Sequence, residues 1–293
     1  WPVLEECAFF YKFFDQLDQY IELSHKYLEQ VKQLFKADSR ECAKALHNLG
    51  RSYSAVPKFD IAHSYLQQAL EIRKKNPTRG HLEIAETLFS LANLLTKQGL
   101  FDKAWTHFSQ VLAIRARELN ENHPDIAETH HNMGNLLTYQ EKYDEAMKQY
   151  ELALAIKKRA CGNVHHVLSM ILNNMGILLC QQGDLQRAMA RYEEAFGMLK
   201  KIFGDQHPEL AKVLNNMAGV FEKQNDCRRA IDCYQRALAI KRQNFGEMHP
   251  EVASTLSNMG SLLENQKELS AAKKCYEQVY LIWKTKSGRT HSK

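Results

Sequence analysis

The chain is built on a 42-residue period, which constrains its fold more than any other feature of its 293 residues. Histidine recurs at this step, a small residue recurs in a second column, and alanine recurs in a third. The histidine column is His81, His123, His165, His207 and His249. The small-residue column is Gly50, Ala92, Gly134, Gly176, Ala218 and Gly260. A period of this length indicates stacked supersecondary units, so we expect a repeat architecture rather than two globular domains.

Each period contains two runs of apolar residues at helical spacing, separated by a short polar break. In residues 123–164, Pro124 opens the first run, because proline is favoured in the first turn of a helix. The second run begins at Tyr143 and ends at Gly162. Small residues on both helices let the two backbones approach closely. Each period therefore predicts one antiparallel helical hairpin, and the stacked hairpins predict an all-α fold.

The period also sets the expected boundaries. Residues 1–38 are predicted to be N-terminal capping helices or a degenerate repeat, because Tyr20 stands where the alanine column requires a small residue. The six predicted repeats are 39–80, 81–122, 123–164, 165–206, 207–248 and 249–290, and residues 291–293 form a tail.

Both ends of the chain suggest missing neighbours. The chain begins with Trp1 instead of Met, and aromatic residues crowd its first 14 positions, so we expect a fragment of a larger protein. At the other end no polar capping helix follows Leu281 and Trp283. Repeat arrays need polar caps for solubility, so this end is expected to continue into a further segment or to associate with a partner.

The columns resemble those of the tetratricopeptide repeat in its 42-residue form. The runs 207–211 (HPELA), 214–218 (LNNMA) and 237–242 (ALAIKR) are similar to the kinesin light chain type, which also occurs in nephrocystin and in the arrays of STAND-type NTPases. The resemblance implies a right-handed superhelical solenoid of antiparallel hairpins. It also implies that the first helix of each hairpin lines a concave groove.

Motifs for catalysis or nucleotide binding do not occur. The sequence lacks GxxxxGKS/T, GxSxG and HExxH. The periodic histidines lie one repeat apart and are interpreted as structural residues at helix starts, not as metal ligands. We therefore expect no enzymatic activity, no cofactor and no metal site.

The composition limits the classes of partner and the compartment that we expect for the chain. No run approaches about 18 uninterrupted apolar residues, so no membrane span is expected. The net charge of +5, without alternating basic and aromatic residues, makes nucleic acid an unfavoured partner. The seven cysteines lack CxxC spacing and are interpreted as free thiols in a reducing, cytoplasmic compartment.

Candidate ligand contacts lie on the first helices, on the face away from the small-residue column. They are Asn48, Arg51, Phe89, Asn93, His131, Asn132, Asn135, Tyr139, Asn173, Asn174, Lys212, Asn215, Asn216 and Asn258. Five of the asparagines share one column, although asparagine is a middling helix former. An asparagine side chain has both donor and acceptor, so it suits the backbone of an extended peptide. The alternative is that these side chains bond the adjacent helix or face water.

Chaperone-binding repeats, to which the resemblance extends, hold a C-terminal carboxylate with Lys and Asn from three repeats. Asn135, Asn174 and Lys212 match this arrangement, whereas His131 and Asn216 stand where that family carries a cation. A charge-assisted grip weakens when cations are missing, so a carboxylate clamp is a minor alternative.

One more column is cationic. Arg73, Arg115, Lys157 and Lys241 fall in the last turns of the second helices. We interpret them as charges that complement the helix dipole and aid solubility. The alternative is a basic track for an acidic peptide or nucleic acid.

The leading functional hypothesis is a non-catalytic scaffold for protein–protein interaction, which docks an extended or helical peptide segment in the groove. The alternative is the regulatory sensor array of a STAND-type NTPase whose nucleotide-binding domain is not in this chain.

Overall fold

A computed structural model describes residues 17–56, 58–75 and 80–290, and this part of the chain is all α-helical, without a strand. The helices, α1 to α13 in chain order, are Leu17–Leu34, Arg40–Ala55, Phe59–Lys75, His81–Lys97, Phe101–Glu118, Pro124–Tyr139, Tyr143–Cys161, His166–Gln181, Leu185–Phe203, Pro208–Lys223, Cys227–Phe245, Pro250–Asn265 and Leu269–Thr290. The aromatic segment at the N-terminus, Cys7 and the 291–293 tail lie outside the described residues.

The chain divides into two compact units, residues 1–156 and 157–293. In the first unit α1 packs on α2, and α2–α3 and α4–α5 form hairpins. In the second unit α8–α9, α10–α11 and α12–α13 form hairpins. Each 42-residue window from 39 onward thus holds a first helix and a second helix, as the apolar runs predict.

The small-residue column lies against the large residue of the partner helix. A Cβ atom added to Gly134 would lie 2.7 Å from the Tyr150 ring, and one added to Gly176 would lie 2.5 Å from Tyr192. Both rings are almost fully buried. The predicted close approach of the two helices is confirmed, and its cause is an aromatic ring that occupies the space of the missing side chain.

Neighbouring hairpins share one core. Leu66 and Leu70 of α3 pack in the same buried cluster as Ile84 and Leu88 of α4 and Val111 of α5. A hairpin buries its apolar face only against the next one, so the stability of each repeat depends on its neighbour.

Four of the periodic histidines cap helices. The Nδ1 atoms of His123, His165, His207 and His249 each accept the backbone N–H two residues later, at 3.2 or 3.3 Å. The first N–H groups of a helix lack partners inside it, so such an acceptor stabilises the helix start. His81 differs, because Gly80 precedes α4 as its N-cap and His81 is the first helical residue. The histidine column is structural at these helix starts, as predicted.

The cationic column is buried, so the expectation that it aids solubility was wrong. Arg73, Arg115, Lys157 and Lys241 are only 3% to 9% exposed. Each lies near the end of a second helix, and Arg73, Arg115 and Lys241 contact the first turn of the hairpin that follows. Buried cations keep their charge only where oxygen atoms replace water.

The oxygen atoms come from the following hairpin. Arg115 Nη1 donates to Asp125 O at 2.6 Å and to Thr129 Oγ1 at 2.8 Å. Arg73 makes the same two contacts, with Glu83 O at 2.5 Å and with Thr87 Oγ1 at 2.6 Å. Lys241 Nζ donates to Glu251 O at 3.1 Å. We call this contact the cation lock, since it ties the end of one hairpin to the start of the next.

The lock has an apolar counterpart. Leu199 occupies the cation position in α9, and Val213 occupies the threonine position in α10. Both are buried, at 3% and 2% exposure. Arg73, Arg115 and Lys241 each have a threonine fourteen residues ahead and Leu199 has a valine there, whereas Lys157 has Ile171.

All six cysteines in the described residues are free thiols. Among the described helices none is long and apolar enough to cross a membrane. That part of the chain also holds no group of three or more His, Cys, Asp or Glu side chains arranged as a metal site.

Candidate functional site

A groove of about 840 Å³ runs across the first helices of unit 1. Its walls are α2, α4 and α6, and α4 contacts both of the others. Asn48, Arg51, Phe89 and Asn93 all line it, so the structure brings together four of the side chains that the sequence assigns to ligand contact. We call it the unit 1 groove.

Buried cations of the lock lie beneath exposed carboxylates of this groove. Arg73 Nη1 is 3.7 Å from Glu86 and Arg73 Nε is 3.9 Å from Glu83. Arg115 Nη1 is 3.7 Å from Glu128. The arginine side chains are 4% and 5% exposed, whereas those of Glu86 and Glu128 are 58% and 53% exposed. The carboxylates of Glu86 and Glu128 are therefore largely exposed to solvent, whereas the arginines are not.

Two histidines near the groove are buried and neutral. Burial, helped by the charges of Arg73 and Arg51, lowers the pKa of His47 from its ordinary 6.5 to about 3. Burial alone lowers the pKa of His131 to about 4. His47 lines the groove, whereas His131 is 8% exposed, with its ring centre 5.8 Å from that of Tyr150. Neither ring supplies a positive charge at neutral pH.

Phe89 provides the apolar part of the groove. Its ring meets Phe108 edge to face at 5.7 Å, and the Arg115 guanidinium lies 4.8 Å from the ring centre. These contacts hold the ring in place, so a ligand side chain would meet a preorganised aromatic edge. Tyr139 is 68% exposed and stacks on Phe101 at 6.4 Å.

Several candidate asparagines bond within the protein. Asn135 Oδ1 accepts the Tyr150 hydroxyl at 2.8 Å, and burial raises the pKa of Tyr150 to about 12. Asn132 Nδ2 donates to Glu128 O in its own helix at 2.9 Å. Asn135 thus bonds the adjacent helix, as the alternative expects, whereas Asn132 bonds its own helix.

Unit 2 has a smaller cavity of about 380 Å³, lined by Asn215, Asn216 and Asn258. Asn216 Nδ2 donates to Asn173 Oδ1 at 2.8 Å, and Asn215 Nδ2 donates to Thr255 Oγ1 at 3.0 Å. These bonds join first helices of successive hairpins. Asn258 is exposed at the rim.

The candidate carboxylate clamp divides between the units. Asn135 belongs to unit 1, whereas Asn174 and Lys212 belong to unit 2. Lys212 Nζ lies 2.5 Å from Glu209 Oε1 on the same helix. This ion pair weakens the case for the clamp, since Lys212 is its one matching cation.

The last described hairpin exposes an apolar surface. Tyr280, Leu281 and Trp283 are 63%, 52% and 48% exposed, and Ile282 is buried. Next to Tyr280 and Leu281 lies a cavity of about 630 Å³, which Leu269 also lines. The surface belongs to α13, the last helix of the described residues.

Sequence reasoning missed the first-turn residues of the groove. Arg40, Glu83 and Asp125 line it. An acidic residue in a first turn is ordinarily explained by the helix dipole, and nothing else in the pattern separates the two roles. For Glu83 and Asp125 the usable signal was the threonine four residues further on, Thr87 or Thr129, which takes part in the cation lock together with the first turn.

Comparison with known proteins agrees with this architecture. Family models described as "Tetratricopeptide repeat" match residues 4–75, 83–159, 167–243 and 252–292. A search of curated proteins found no match.

Solved structures with the same arrangement include BtubC (BKLC) from P. vanneervenii, at 27% identity and a TM-score of 0.66 over 78% of this chain and 92% of that chain. Another is a putative kinesin light chain with TPR-like repeats from Podosopora anserina, at 18% identity and a TM-score of 0.59 over 71% and 99%. A third is a Rap protein complexed with Competence and Sporulation Factor, at 18% identity and a TM-score of 0.69 over 95% and 72%.

Proposed function

Because the chain belongs to the tetratricopeptide repeat family, we propose that it is a non-catalytic protein-interaction scaffold that binds a peptide segment along its first helices. The unit 1 groove is the principal site of this proposal. The cavity lined by Asn216 in unit 2 is a second position for the same role.

One observation carries the proposal. Side chains from the first helices of consecutive hairpins, Asn48 and Arg51 on α2 and Phe89 and Asn93 on α4, line a single groove of about 840 Å³. Amide, cationic and aromatic groups in one open groove suit a backbone and its side chains. A Rap protein of the same fold is complexed with Competence and Sporulation Factor, which supports the accommodation of a second molecule by such hairpins.

The groove supplies contacts that do not require a folded partner. Asn48 and Asn93 are half-buried at equivalent depths on neighbouring helices, and Arg51 is exposed. An amide can bond the backbone of an extended segment without selecting its sequence, while Phe89 and the charges select side chains. Binding immobilises the segment, so we expect modest, micromolar affinity.

The test is a selection from a random dodecapeptide library on the protein, followed by fluorescence anisotropy with the selected peptides. Arg51→Ala combined with Asn93→Ala should weaken binding at least about five-fold, because two polar contacts at about 0.5–1.5 kcal/mol each are lost. Lys103→Ala and Glu151→Ala, at exposed positions of second helices outside the groove, are the matched controls.

The proposal fails if the library yields no enriched motif. It also fails for the unit 1 groove if the double variant binds as well as the control variants do. In that case Asn216→Ala and Asn258→Ala distinguish the unit 2 cavity from a surface outside both.

A further inference from the structure

The unit 1 groove has an uneven distribution of charge along its length. Five cationic and five anionic side chains line it, so they cancel overall. On α2 the lining residues are three cations against one carboxylate, with Lys44 and Arg51 both exposed. On α6 the charged lining residues are Asp125 and Glu128, which are both carboxylates. The groove is therefore positive at the α2 end and negative at the α6 end.

The buried arginines do not remove this difference. Arg115 lies 3.7 Å from Glu128 and offsets part of its charge, but the α6 end also carries Asp125. On α4, Arg73 offsets one of the two carboxylates Glu83 and Glu86. Because Arg40 also bonds Glu83, the net negative charge of the groove is concentrated on α6.

At the α2 end, Arg40 bonds Glu83 across the junction between hairpins. Lys44 and Arg51 line the groove on either side of His47 and Asn48, and neither of these two neighbours carries a charge there. The positive charge at this end thus comes from Lys44 and Arg51, two long, exposed side chains whose flexible stems can adjust to the position of a ligand.

Between the two ends lies the held ring of Phe89, which is apolar and half-buried. Neighbouring helix axes are about 8–10 Å apart, so the two steps from α2 to α6 span roughly 16–20 Å. An extended chain advances about 3.3 Å per residue, so this span corresponds to about five or six residues.

We infer that the unit 1 groove selects an extended segment with an acidic side chain at the α2 end, a basic side chain at the α6 end about five or six residues away, and an apolar side chain between them. This inference rests on the proposed function, and it specifies the class of ligand. The chain direction of the segment is left free, because the two charges set only which end lies on which helix.

The experiment repeats the dodecapeptide selection with charge-reversed proteins. The unmodified protein should enrich peptides with one acidic and one basic residue at this spacing. Lys44→Glu makes both ends negative, so it should shift the enrichment towards two basic residues. Glu128→Lys makes both ends positive, so it should shift the enrichment towards two acidic residues. Lys103→Glu is the control for net charge, since Lys103 is exposed on α5 and does not line the groove.

Anisotropy with one selected peptide quantifies the effect. Exposed ion pairs are individually weak, so each reversal should change the dissociation constant of the mixed-charge peptide about two- to twenty-fold. The neutral variants Lys44→Gln and Glu128→Gln should give a smaller change in the same direction, and they guard against a folding defect in the reversed variants.

Two outcomes distinguish a failure of peptide binding from a failure of charge selectivity. Absence of any enriched peptide with the unmodified protein would overturn the proposed function. Enriched peptides that have no paired charges, or whose charges are the same for Lys44→Glu, Glu128→Lys and Lys103→Glu, would overturn the inference about charge and leave a groove of different selectivity.

Discussion

The contact between glycine and tyrosine inside one hairpin gives a prediction of opposite sign for two similar substitutions. Gly176 lies in α8 and Gly197 lies in α9, so both belong to the same hairpin. A Cβ added to Gly176 would lie 2.5 Å from Tyr192 Cε1, whereas one added to Gly197 would meet nothing within 4 Å. Gly176→Ala therefore tests packing, and Gly197→Ala tests helix propensity alone.

The magnitudes follow from these distances. Replacing an interior helical glycine by alanine stabilises a helix by about 0.5–1 kcal/mol, which is the result expected for Gly197→Ala. Gly176→Ala gains the same amount, but it forces the buried Tyr192 ring to move, at a cost of about 1–3 kcal/mol. The free energy of unfolding of Gly176→Ala should thus lie about 1–3 kcal/mol below that of Gly197→Ala. Ala218 already faces Tyr234 in α10–α11, so the lower part of this range is favoured.

The assay is urea unfolding followed by far-UV circular dichroism, with hydrogen exchange of α8 and α9 as a local readout, because repeat arrays need not unfold in one step. Equal stabilisation by the two substitutions would refute the reasoning. It would mean that the tyrosine ring moves aside at no cost, so the small residue would not be what sets the distance between the helices.

Two further predictions concern buried ionisable groups. Arg115→Leu should destabilise the protein by about 1–3 kcal/mol in urea unfolding, because Asp125 O and the Thr129 hydroxyl lose a donor. Adding Thr129→Val should recover part of that loss, and a double variant less stable than Arg115→Leu would contradict the lock. Stability should also fall as the pH is lowered from 6.5 towards 4, because the unfolded state binds a proton on His131 in this range and the folded state does not. The urea midpoint of His131→Gln should depend less on pH in that window, and an unchanged slope would argue against the buried neutral ring.

The architecture was predictable because it depends on spacing. The repeat spacing alone places Gly176 opposite Tyr192 when the two helices pair as an antiparallel hairpin. The proline and histidine pattern marks the helix starts. These features need only the backbone and the apolar pattern. Contacts that depend on the direction in which a long polar side chain extends were harder to predict from the sequence.

The cationic column shows what could not be predicted from sequence spacing. A cation in the last turn of a helix suits both a solvated position and a buried one, and the backbone position is the same in either case. The structure resolves the ambiguity, since Arg115 bonds Thr129 in the following hairpin. Leu199 and Val213 replace both lock positions together, but Lys157 keeps its cation with Ile171 at the threonine position, so the sequence carried only a partial signal for this pairing. The asparagine column is ambiguous for the same reason, because Asn132 bonds its own helix and Asn216 bonds the next one.

The cation lock has a consequence for how such a chain changes length over evolution. Arg73 and Arg115 each find their threonine fourteen residues further along, well inside one 42-residue period. A tandem duplication of such a period recreates the same cation and hydroxyl at the same offset across the new junction. An array of this kind can therefore grow or shrink by whole units while keeping the same contact between hairpins, and its row of first helices lengthens by one helix each time.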